Sequence, residues 1–70
     1  MTLEWVSHDG GGWFEATLPS GSIIIDRMVD YGTVKYFIQQ RDSKGNQVRS
    51  STAWSLDRAK KTAEDWINGA

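Results

Sequence analysis

The sequence predicts an α+β domain: an antiparallel meander of four to five strands with one C-terminal helix packed on one face. Three observations predict it. Turn signals recur at short intervals as far as Asn46, the segments between them are rich in Val, Ile, Thr and aromatics, and the apolar period becomes helical after Ala53. Short connections join antiparallel neighbours, since a parallel pair needs a crossover of a dozen or more residues.

The turn signals are His8-Asp-Gly-Gly-Gly12, Pro19-Ser-Gly21, Asp30-Tyr-Gly32 and Asp42-Ser-Lys-Gly-Asn46. Each combines glycine with Asp, Asn, Ser or Pro, the residues that favour tight reversals. The intervening segments, residues 3–7, 13–18, 22–29, 33–41 and 47–53, suit a pleated surface. Alternation puts Phe14, Ala16 and Leu18 on one face with Val34, Tyr36 and Ile38, joined by Val48. That face is the expected core. Ile23, Ile24 and Ile25 do not alternate, so the register from there to Met28 stays open.

From Ser55 onward, Leu56, Ala59, Ala63, Trp66 and Ile67 fall on one helical stripe, with Lys60, Lys61, Glu64 and Asp65 mostly outside it. Ser55 is a good N-cap, Asp57 complements the positive helix start and Gly69 suits the position past the end. The helix is therefore expected over residues 55–68, with Trp54 placed to staple against Ala59. Residues 1–70 form a single domain, and one helix covers one face of the sheet.

Composition narrows the functional classes. The chain has 70 residues, 39% apolar and 24% charged, with four tryptophans and a formal net charge of −1. A chain this short buries only about 60% of its unfolded surface, so large aromatics contribute much of the burial. The absence of cysteine excludes disulfides, thiolate metal sites and a cysteine nucleophile, and a single histidine makes no metal site alone. The N-terminal residues lack a basic start and an apolar run, so no leader peptide is expected and a cytoplasmic location follows. No cofactor is implied.

The Gly10-Gly11-Gly12 run lacks phosphate-loop spacing and precedes a strand, not a helix whose amides would meet an anion. His8 and Asp9 are neighbours in sequence, which does not make their side chains a relay, and no nucleophile motif accompanies them. The protein is read as a non-enzyme, and this segment as a turn.

The face opposite the core is expected to carry Trp13, Glu15, Thr17, Lys35, Phe37, Gln39, Arg41, Arg49 and Ser51, provided no bulge exchanges the faces. Aromatics interleaved with cations suit a binding surface, and Trp13, Lys35, Phe37, Arg41 and Arg49 are its candidate residues. Trp13 and Phe37 also suit a purely structural cross-strand role.

Gly12-Trp13-Phe14, the segment Gly45-Asn-Gln-Val-Arg-Ser-Ser51, and a helix opening Ser55-Leu-Asp-Arg-Ala59 and closing Ala63-Glu-Asp-Trp66 resemble short sheet-plus-helix proteins of phages and prophages. That resemblance implies a small accessory protein of a phage or mobile element. The chain also resembles, more weakly, the N-terminal arm-type DNA-binding domain of tyrosine integrases. There the sheet enters the major groove, which would put Lys35, Arg41 and Arg49 on DNA. Residues 1–54 carry five basic side chains (Arg27, Lys35, Arg41, Lys44, Arg49) against six acidic ones (Glu4, Asp9, Glu15, Asp26, Asp30, Asp42). Phosphate contacts dominate duplex affinity, so the expected partner is a protein or a second copy, with nucleic acid the alternative.

Overall fold

The computed structural model describes residues 3–69. Five strands, β1 (Val6–His8), β2 (Trp13–Leu18), β3 (Gly21–Asp30), β4 (Thr33–Asp42) and β5 (Gln47–Ala53), precede one helix, α1 (Leu56–Asn68). The strands lie in chain order, every neighbour antiparallel, so the fold is the expected α+β meander. Among the described residues no helix is long and apolar enough to cross a membrane.

The register resolves the isoleucine run. Ile23 pairs with Ala16, and Ile25 pairs with both Phe14 and Ile38, which puts Ile23 and Ile25 beneath α1 and Ile24 on the opposite face. Ile23, Ile25 and Ile38 are completely buried, each contributing about 1.5–3 kcal/mol on burial. The helix meets them through Ala59 and Ala63, also completely buried, while Leu56, Trp66 and Ile67 pack around that contact. Two alanines four residues apart leave room for the helix backbone to sit close to branched side chains. The Ser55 hydroxyl accepts from the Arg58 amide at 3.2 Å, and Gly69, at φ 76°, donates its amide to the Asp65 carbonyl.

Four details depart from the sequence reading. Leu3 enters the core and Trp5 packs against it, so the first strand begins at Val6 and not at residue 3. Burial of those two side chains, not strand pairing, directs the entering segment. Trp54 does not staple to Ala59. It is two-thirds exposed, with the Lys35 Nζ 5.8 Å from its ring centre, because alternation along β5 continues one residue past the strand and turns Trp54 away from the helix.

The third departure is a bulge. From the turn, Gln47 pairs with Arg41, yet Arg49 pairs with Gln40, leaving Val48 as the extra residue. Every later side chain of β5 is thereby exchanged between faces. Val48, expected in the core, is 56% exposed. Arg49 and Ser51, expected on the open face, share the helix face, opposite Gln40 and Ile38.

β2 pairs with β3 only as far as Asp26, and β5 with β4 only from Tyr36. Beyond those positions β3 and β4 continue alone as a two-stranded ribbon closed by Tyr31 and Gly32, both at positive φ as a two-residue hairpin turn requires. Val34 keeps the predicted face but lies on this ribbon opposite exposed Val29, outside the core.

At the other end of the same hairpin, a β-carbon on Gly21 would overlap the Arg41 carbonyl oxygen, and its φ of 153° also favours glycine. Gly21→Ala is expected to cost at least ~2 kcal/mol, from backbone strain of about 1–3 kcal/mol plus the displaced strand. An unchanged urea midpoint would refute this. The Asp42 carboxyl, which accepts the Asn46 and Lys44 amides at 2.9 Å each, is held below its ordinary value, chiefly by the Asn46 amide. A depressed folded-state value gives stabilisation that is present above the unfolded carboxyl's titration and lost as pH falls through the folded one. The Lys44 and Asn46 amide resonances should therefore titrate with Asp42 in acid. Flat shifts down to the acid unfolding transition would contradict the assignment.

Candidate functional site

The face away from α1 is set by the same register. One row crosses all five strands as His8, Trp13, Asp26, Phe37 and Thr52, and the next runs Val6, Glu15, Ile24, Gln39 and Ser50. Thr17, Ser22 and Arg41 lie below these rows. Met28 and Lys35 lie above them.

Trp13 is fixed from two sides. Its ring stacks on His8 at 3.9 Å between centres and 14° between planes, and its indole Nε1 donates to Asp9 Oδ2 at 3.2 Å. The turn that places Asp9 there uses three successive positive-φ residues, Asp9, Gly10 and Gly11, and the His8 carbonyl accepts the Gly11 and Gly12 amides. This explains the glycine run: it lets the chain reverse tightly enough for Asp9 to reach the indole. His8 Nε2 lies 3.4 Å from Glu15 Oε1, without hydrogen-bond alignment. His8 and Asp9 both serve Trp13.

Arg41 is equally constrained. It donates to the Gln39 side-chain oxygen at 2.7 Å and to the Gly45 carbonyl at 3.0 Å, and Gln39 in turn lies 3.5 Å from Asp26. A line of polar contacts thus runs from the β4–β5 turn to the central row.

Of the five candidate residues, Trp13, Lys35, Phe37 and Arg41 lie on this face. Arg49 does not. Its guanidinium sits 5.2 Å from the Trp66 ring and its Nε donates to Gln40 at 2.7 Å, both on the helix side. Asp9, Glu15, Asp26 and Asp30 therefore outnumber Lys35 and Arg41, with the acids toward β1–β3 and the cations on β4. The face is polarised, not basic.

Ile24, Met28, Val6 and Trp54 join the face although they were not singled out from sequence. Ile24 sits within an all-apolar run that conceals alternation, and Trp54 needs the strand period extended past Ala53. A depression of about 430 Å³ lies at the turn end of the sheet, with Thr17, Pro19, Ser22, Arg41 and Asp42 among its lining. Among the described residues, no group of three or more His, Asp or Glu side chains is placed to hold a metal ion.

No family model matches the chain, and neither the curated proteins nor the solved structures contain a match to it.

Arg49→Ala should lower stability by about 0.5–1 kcal/mol, the scale of an exposed cation–π contact, because the residue braces the helix. A neutral change in the denaturation midpoint would remove that role.

Proposed function

We propose that this protein is a non-catalytic binding protein that engages a protein partner, in the cytoplasm, through the open sheet face. The observation that carries the reading is the central row, where Trp13 and Phe37 flank Asp26 and Ile24 lies beside them, on a face that the single helix leaves uncovered. Aromatic anchors within a polar surround are the usual energetic centre of a protein interface. Trp13 is held by His8 and Asp9 before any partner arrives, which lowers the ordering cost of binding.

Charge supports a protein partner over nucleic acid. Two cations face four acids, and the cation that would have made a basic track, Arg49, braces the helix instead. Duplex binding depends on neutralising phosphates, so this face suits a partner of mixed charge, whose basic groups meet Glu15 and Asp26 and whose acidic groups meet Lys35 and Arg41.

The test compares wild type with Phe37→Ala and Trp13→Ala in affinity capture from the host. Both variants should remain folded, Trp13→Ala losing roughly 1 kcal/mol as an aromatic pair is removed, and both should lose a partner that wild type retains in high salt. Retention by both variants would place binding elsewhere. A gel shift with single- or double-stranded DNA that fades steeply with salt would overturn the protein reading in favour of nucleic acid.

A further inference from the structure

We propose that two copies of this chain pair antiparallel along β5, about a two-fold axis at Ser51 normal to the sheet, joining two five-stranded sheets into one. This goes beyond partner binding through the open face and does not depend on it.

β5 is the outermost strand on its side of the sheet. Its backbone pattern follows from the β3–β4 turn. A two-residue turn makes Asp30 and Thr33 a hydrogen-bonded pair, so even-numbered residues of β4 direct their amides and carbonyls toward β5. The Asp42 amide, which donates to the Asn46 carbonyl at 2.9 Å, agrees with this. Tyr36, Ile38 and Gln40 therefore bond with Ala53, Ser51 and Arg49, which leaves the backbone groups of Ser50 and Thr52 turned outward. Little blunts this edge. β1, at the other edge, has only three residues, whereas β5 has seven and contains neither lysine nor proline. Its bulge at Val48 still leaves Arg49 to Ala53 as a regular stretch.

The second copy is the occupant because this edge is complementary to itself. With Ser51 opposite Ser51 of the second copy, Ser50 meets Thr52 in both directions, and the outward amides and carbonyls of both residues are bonded. Centring on Ser50 would instead oppose Thr52 to the bulged Val48, and centring on Thr52 would oppose Ser50 to Trp54, beyond the strand. On the open face the Ser51 register sets hydroxyl against hydroxyl, a favourable cross-strand pair. On the helix face Arg49 meets Ala53, whose small side chain leaves it room.

The helix fits the same axis. α1 runs antiparallel to β5, since it begins just past the strand's end and Trp66 meets Arg49 near the strand's start. Thr62 is one turn, about 5.4 Å, back from Trp66, and Ser51 is about 6.5 Å from Arg49, so Thr62 lies level with the axis. Arg58 and Asp65 flank Thr62 on the β5 side of α1, away from Lys60, which approaches Phe14 of β2. The two-fold therefore turns Arg58 of each copy toward Asp65 of the other. The helices, each centred over β4, stand about three strand spacings or ~14 Å apart, a gap that these side chains span. Arg58 has no ion-pair partner among the described residues, and Asp65 has a loose contact with exposed Lys61 at 3.9 Å. Exposed pairs of this kind contribute little energy, so they fix register more than affinity. The contact is narrower than the roughly 800 Å² per partner of a standard interface, so the dimer forms as concentration rises.

Sedimentation equilibrium over a concentration series tests this. The wild-type mass should rise from the monomer's 7.9 kDa to twice that value and stop, because an isologous contact closes. Ser50→Lys with Thr52→Lys, both at exposed sites, opposes lysines twice and should weaken the dimer about tenfold. Ser50→Glu with Thr52→Lys sets opposite charges in the same places and should dimerise at least as well as wild type. Thr52→Pro, which removes no hydrogen bond within the monomer, replaces the lysine pair if that variant does not fold. On the helix, Asp65→Arg should weaken the dimer about fivefold, and adding Arg58→Asp should restore it. Both new charges suit their ends of the helix, so folding is kept. Trp13→Ala and Phe37→Ala should dimerise as wild type does, which separates this result from the partner-binding test. The proposal fails if wild type stays monomeric, if its mass continues past the dimer, or if the lysine pair dimerises normally. It also fails if the Glu–Lys variant or the helix charge exchange does not recover the dimer, or if Trp13→Ala or Phe37→Ala abolishes it, which would place the contact on the open face.

Discussion

One helix of thirteen residues can cover one face of a five-stranded sheet and not two, and the rest of the structure follows from that. Ala59 and Ala63 bring the helix down onto Ile23, Ile25 and Ile38, and these five are the completely buried apolar residues among those described. Burial by large branched side chains on one layer and closeness by small ones on the other are complementary demands. Larger residues at the two alanines would lift the helix and open voids beside the isoleucines.

The uncovered face then needs its own means of support. It uses short-range polar and aromatic contacts: the His8–Trp13 stack, the indole bond to Asp9, and the line from Gly45 through Arg41 and Gln39 toward Asp26. Side chains fixed in this way present a surface with little left to order on binding. The two ends of the long β3–β4 hairpin differ in the same spirit. One end is drawn tight by Gly21 and the Asp42-centred turn, and the other runs free past its neighbours to Tyr31.

Much of this architecture was legible because it rests on local chemistry. Ser55 and Gly69 bound the helix as capping residues do, and the apolar stripe between them identifies its buried side. The glycine-containing turns delimit β2 to β5 to within a residue of their observed ends. Within the candidate site, Trp13, Lys35, Phe37 and Arg41 could be placed because β2 and β4 alternate cleanly from their own turns. Ile24 could not, since a run of three isoleucines is the same on either face. Arg49 was misplaced for a different reason: its face depends on a bulge whose only sequence trace is the ordinary residue Val48.

By itself, then, the sequence determined the class of fold, the order of its elements and the limits of the helix, since turn preference, capping and hydrophobic period act over a few neighbouring residues. Only the tertiary structure decided which way β5 faces, where the sheet's lateral pairing stops, and that Tyr31 stands alone at the end of an unaccompanied ribbon. Those features are set by register between strands. A register is a property of two segments together, and the shift of one residue that exchanges the faces of β5 leaves its composition and its period of two unchanged.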